Sequence, residues 1–173
     1  VDSRDAPHNV AVKAPELIAA HGDLKAPQKM FNFSLDRQGV FSSWQGKPGT
    51  QINVTFSGER YPAWSYDPAT KKYLRSQEGG PDFDSEKAQI SATNVIVMTV
   101  QIDGKYGYVP KTVLVTSGTG IIATHGVYTE MKWSKASADA PIVYTTLDGQ
   151  PITLSPGNTW IEMPPTSGSF KVN

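Results

Sequence analysis

An arginine followed by a cluster of acids is the group in this sequence best equipped for chemistry. Arg75 closes the run Tyr73-Leu74-Arg75, and Asp82-Phe83-Asp84-Ser85-Glu86 follows in the next loop. A guanidinium offers a planar fork of donors that suits a carboxylate, a phosphate or sugar hydroxyls. The same fork can instead be held by Asp82 or Asp84 as a structural ion pair, and at this level both readings stand. Trp64 and Tyr66 lie upstream and carry flat apolar faces of the kind that stack on sugar rings, although a Trp in a β domain is more often core. A second small group, Arg4, Asp5 and His8, sits in a proline-containing segment at the start, and Arg4 and His8 are expected to come beside the Arg75 group.

Other patterns are weaker. Asp82-x-Asp84-x-Glu86 opens like a calcium loop, but that loop needs Gly at its sixth position and Glu at its twelfth. Lys87 and Thr93 stand there instead. We expect no metal, and we expect Asp84 to cap the turn that follows through backbone amides. His8, His21 and His125 are far apart and share no ligand spacing. Gly118-Thr119-Gly120 imitates a dinucleotide fingerprint, yet that motif must open a helix. The residues that follow are β-branched and aromatic, so the glycines are expected to break a strand with a tight bend. No nucleophile elbow, phosphate loop or zincin motif occurs. With no cysteine, disulfides, thiolate zinc sites and a cysteine nucleophile are all excluded. No cofactor is expected. Sixteen acidic residues leave a glycosidase-type carboxylate pair open.

These side chains must be positioned by something, and the language of the chain is that of strands. Its 173 residues are enough for one domain with a real core, at 38% hydrophobic and 18% charged content. The formal net charge is zero, which argues against a nucleic-acid binder. No apolar run approaches the roughly 20 residues of a membrane span. Residues 1–12 read as an extended lead-in. Ala14-Pro15-Glu16 through Gly22 carries helix start and stop signals, and its Leu17 and Ile18 need something larger to dock on. Phe31, Phe33 and Leu35 alternate as a strand. So do Ile52, Val54 and Phe56. Trp64 to Tyr66 and Tyr73 to Arg75 flank Asp67-Pro68 as a hairpin. Asn94 to Ile102 is apolar nearly throughout, as a strand covered on both faces should be. Tyr106 to Tyr108 can pair back, Gly126 marks a bulge or bend, and Leu147-Asp148-Gly149-Gln150 is a short hairpin turn. Residues 166–173 read as a frayed tail. Turns recur about every 8 to 12 residues. The expected fold is mainly β: one antiparallel sandwich or barrel-like domain, residues 1–173, with a short N-terminal helix.

An ordered set of segments resembles the bacterial YerB-like lipoprotein family. The segments are Arg4-Asp5-Ala6-Pro7-His8-Asn9, Trp64-Ser65-Tyr66-Asp67, Tyr73-Leu74-Arg75-Ser76-Gln77 and Ser91-Ala92-Thr93-Asn94-Val95-Ile96-Val97. Gly118-Thr119-Gly120, Trp133-Ser134-Lys135 and Asp148-Gly149 follow, and then Leu154-Ser155-Pro156-Gly157-Asn158-Thr159-Trp160-Ile161. The chain departs from the family pattern in two places. Asp82 stands where relatives tend to have a histidine, and Met131-Lys132 precedes Trp133 where they tend to have Gly-Thr. The resemblance implies the C-terminal part of a larger extracytoplasmic protein with a further N-terminal domain and a lipid anchor. It brings no established activity and no catalytic residues.

The function expected is binding without catalysis. An extracytoplasmic domain would hold a cell-wall glycan or an envelope protein in a groove formed by Arg75, Asp82, Asp84, Tyr66 and Trp64, with His8 and Arg4 beside it. One alternative is a glycan hydrolase or transferase that uses Asp82 or Asp84 as acid or base. Another is an interdomain scaffold, with an apolar patch facing the N-terminal domain.

Overall fold

The computed structural model describes residue 5 and residues 12–23, 28–36, 40–41, 44–105 and 110–173. Arg4, His8, most of the expected lead-in and the Tyr106 to Tyr108 pairing lie outside the described residues. The chain opens with helix α1 (Ala14–Ala20) and the short strands β1 (Asn32–Phe33) and β2 (Lys47–Pro48). Next come β3 (Gln51–Thr55), β4 (Ala63–Asp67), β5 (Lys72–Gln77), β6 (Gly80–Pro81) and β7 (Ser91–Ala92). β8 (Asn94–Met98), β9 (Gln101–Asp103), β10 (Lys111–Val113), β11 (Ser117–Thr124) and β12 (Val127–Ser134) form the middle of the fold. β13 (Val143–Thr146), β14 (Thr153–Leu154), β15 (Thr159–Glu162) and β16 (Ser169–Val172) complete it.

Two open sheets carry most of these strands. One runs β13-β12-β11-β8-β15, with β2 beside β12; the other runs β16-β3-β4-β5-β6, with β7 beside β5. The fold is therefore mostly β and sandwich-like, and the described sheets do not close into a barrel. Most pairings are antiparallel, but β15 runs parallel to β8.

β8 explains how the layers form. Every residue from Asn94 to Met98 is buried. Because side chains alternate along a strand, Val95 and Val97 join Ile121 and Ala123 against Ile52, Val54, Trp64 and Tyr73 of the second sheet. Ile96 and Met98 join Ile122, Met131 and Trp133 on the other face, where Val40, Trp44, Ile152 and Leu154 cover them. Each aliphatic side chain so buried contributes about 1.5–3 kcal/mol.

Several local expectations need correction. The strand break expected at Ser117–Gly120 does not occur: β11 runs straight through it. Gly120 instead lets β8 come close, since a Cβ there would overlap the Val97 carbonyl oxygen. The bend lies at His125-Gly126, where both φ angles are positive (52° and 75°) and a two-residue turn joins β11 to β12. The expected frayed tail contains β16, which pairs with β3 from Ser169↔Thr55 to Val172↔Ile52. Its Phe170 and Val172 pack on the core, which gives a polar segment a reason to be ordered. The strand expected over Phe31 to Leu35 shrinks to Asn32–Phe33, and Leu35 is 96% exposed. α1 forms where its signals predict, but it buries no residue, and Ile18 is 70% exposed.

Candidate functional site

The hairpin β4–β5 sets Trp64 opposite Arg75. β15 brings Trp160 and Glu162 from far along the chain to the same place. Arg75 Nε donates to Glu162 Oε1 at 3.4 Å, Nη1 pairs with the Asp82 carboxylate, and Nη2 donates to Gln77 Oε1 at 2.6 Å. The guanidinium lies 5.0 Å from the Trp160 ring centroid and 5.9 Å from that of Trp64. Trp64 Nε1 donates to Glu162 Oε1 at 3.1 Å. The Arg75 side chain is 12% exposed and that of Glu162 5%. Of the two aspartates, Asp82 is the one that meets Arg75. These contacts occupy all three guanidinium nitrogens. Glu162, Gln77 and Trp160 are members that the groove expected from sequence did not include.

The other expected groove residues are dispersed. Asp84 accepts from the backbone N–H groups of Glu86 (2.8 Å) and Ala88 (2.9 Å), the turn cap expected of it. Trp64 is fully buried. Tyr66 packs against Tyr73 and over Gly126. Burial pushes the Tyr73 phenol well above its ordinary pKa, and its O–H donates to the Gly49 carbonyl at 2.9 Å. Replacing Asp84 with Ala should lower stability by about 1 kcal/mol, because two amides exchange a fixed acceptor for water. The urea midpoint of unfolding reads this out, and Asp84→Asn should recover most of it.

A cleft of about 500 Å³ opens elsewhere, beside β12 and the β13–β14 turn. Phe41 and Trp44 line it, their rings edge to face at 4.8 Å. Trp44 is fixed by a bond from Nε1 to the Thr153 carbonyl at 3.5 Å. Lys47 and Glu130 form one side, with their charges 3.7 Å apart. Asp148 forms the other, its carboxylate accepting from the Thr146 hydroxyl. Two carboxylates, one ammonium and two aromatic rings thus share one concave surface.

A buried polar network lies on the far side of Phe41. Asn94 Nδ2 donates to the Ser155 carbonyl at 2.8 Å, and Ser155 N–H donates to Asn94 Oδ1 at 3.2 Å. Thr124 Oγ1 lies 3.1 Å from Ser155 Oγ. Ser155 Oγ lies 2.7 Å from His125 Nε2. Sequence reading gave this serine no role, since it belongs to no recognisable nucleophile motif. Among the described residues no group of three His, Cys, Asp or Glu is placed to hold a metal ion.

The model of a family described as "protein of unknown function (DUF3048), C-terminal domain" matches residues 52–161. A crystal structure of the YerB protein from Bacillus subtilis matches with a TM-score of 0.74 at 20% identity. The match covers 99% of this chain and 58% of that one, so the chain spans little more than half of that protein's length. At that identity the likeness speaks for the fold alone. A search of curated proteins gives no match.

Proposed function

From the premise that this chain belongs to the family of unknown function whose C-terminal-domain model it matches, we propose that it is an extracytoplasmic domain that binds a cell-envelope glycan. The observation that carries the reading is the cleft floored by Phe41 and Trp44 and edged by Lys47, Glu130 and Asp148. Its volume falls in the range of small-ligand sites, about 300–1,000 Å³. Sugar rings present apolar faces to aromatic side chains and hydroxyls to carboxylates and ammonium groups. This cleft offers both kinds of surface side by side. The compartment rests on the resemblance to YerB-like lipoproteins, and the lipid anchor would belong to another part of the full protein. The groove proposed from sequence moves with this assignment, since Arg75, Asp82, Asp84, Tyr66 and Trp64 do not line the cleft.

Titration with soluble peptidoglycan fragments, followed by calorimetry, tests the proposal. Wild type should bind, and Glu130→Gln with Asp148→Asn should weaken binding by at least about tenfold, or about 1.4 kcal/mol. Binding that the double change leaves untouched moves the ligand elsewhere. No binding to any fragment sinks the reading. A glycan hydrolase is the second reading, favoured by two carboxylates in one cleft. It is separated from the first by shortened products in the same mixtures.

A further inference from the structure

We propose that Ser155 and His125 form a nucleophile–base pair that accepts a small acyl group from an ester. The proposal stands apart from the glycan cleft and does not need its ligand to be identified. A serine hydroxyl becomes a nucleophile when a general base sits within hydrogen-bond reach and is itself held in place. Ser155 Oγ and His125 Nε2 are 2.7 Å apart. Both side chains line a cavity of about 250 Å³, together with Thr93, Asp36, Lys71 and Lys72.

Each partner is held by its surroundings. Ser155 is only 3% exposed, and its backbone is bonded through both N–H and C=O to the Asn94 side chain. His125 occupies the first position of the β11–β12 turn at φ 52°. Such turns favour Asn or Asp there, so a histidine accepts backbone strain to reach this place. Lys71 sits at the tip of the β4–β5 hairpin with φ 59°, which places a second left-handed residue at the same cavity. Strain of this kind gathers where side-chain placement matters.

The chemistry follows from the tautomer that leaves Nε2 unprotonated. Ser155 Oγ attacks the ester carbonyl carbon, and its proton passes to His125 Nε2. A C–O bond forms, and the carbonyl electron pair moves onto oxygen inside the cavity that Lys71, Lys72 and Asp36 line. Collapse of that intermediate breaks the bond to the alcohol, which leaves with the proton from His125. Water then attacks the acyl-serine through the same base, releasing the carboxylic acid and restoring Ser155. A cavity of this volume takes acyl groups of a few carbons, with the alcohol part of the ester outside. Phe41 links the two sites, its ring 6.1 Å from that of His125 and 4.8 Å from that of Trp44.

The test is labelling of the 173-residue chain with a fluorophosphonate probe, read by mass spectrometry of peptides. One adduct is expected, on Ser155, absent in Ser155→Ala and formed at least tenfold more slowly in His125→Asn. Asparagine suits the turn position, so this variant removes the base while keeping the backbone. Wild type unfolded in urea should not react, which distinguishes activation by the fold from simple exposure. Release of p-nitrophenol from p-nitrophenyl acetate should show the same ranking. Folded wild type that leaves Ser155 unlabelled overturns the proposal, as does equal labelling of wild type and His125→Asn. In either case the pair only ties the β11–β12 turn to the segment after β14.

Discussion

Replacing Arg75 with methionine should lower the free energy of unfolding by about 3–4 kcal/mol. The loss comes less from the attraction removed than from the charge left behind. Glu162 would remain buried, with the Trp64 indole N–H as its remaining described hydrogen-bond partner. Asp82 is nearer the surface, its side chain 26% exposed, and can turn to water. Two further changes sharpen the result. Glu162→Gln in the Arg75→Met background should recover much of the loss, because a neutral amide tolerates the site better than a lone carboxylate. Asp82→Asn alone should cost less than Arg75→Met. Urea unfolding followed by tryptophan fluorescence measures all three. A loss below about 1 kcal/mol for Arg75→Met would mean that water already reaches Glu162, and the network would not be structural.

Gly120→Ala is the second large effect. Residue 120 pairs with Met98 on β8 and with Met131 on β12, in the middle of the first sheet. An added Cβ would overlap the Val97 carbonyl oxygen, and would lie 3.0 Å from Met98 Cα and 2.9 Å from Met131 Cε. The methionine side chain can move, but the backbone of β8 is paired on both sides, with β11 and β15. Overpacking a core costs about 1–3 kcal/mol even where side chains adjust, so a clash with backbone should reach at least about 3 kcal/mol. Gly104→Ala is the control, since nothing lies within 4 Å of a Cβ there. Thermal melts of the two variants compare them directly. Similar melting temperatures would show that the β8–β11 pair can separate without cost.

Patterns carried by neighbours in sequence were legible, and contacts made across the fold were not. The alternation of Ile52, Val54 and Phe56 identified β3, and the apolar run from Asn94 identified β8, although that strand ends at Met98 and Ile102, expected in it, lies exposed in β9. Asp84 capped its turn as expected because an Asx turn is complete within a few residues. Arg75 and Asp82 could be linked because one loop joins them. Glu162 could not, because its place beside Arg75 depends on β15 running parallel to β8. Alternation does put Trp160 and Glu162 on one face of a strand, but one sequence does not name the strand it joins. Ser155 and His125 meet for the same long-range reason. β16 was missed because Ser169 and Lys171 dilute the signal of Phe170 and Val172. Leu17, Ile18 and Leu35 were overread, since hydrophobic character alone does not bury a side chain.

The late pairing of β16 with β3 bears on how the chain is made. β3 is an early strand, yet one of its two neighbours follows every other described strand in chain order. While a ribosome is still extending the chain, β3 presents an unpaired row of backbone donors and acceptors. Edges of that kind recruit strands from other molecules. A product that stopped after β15 would carry the edge permanently and would cluster with its own kind. Ser169 to Val172 thus cover β3 and take its place as the end of the sheet, a four-residue edge carrying Lys171 in place of a five-residue one.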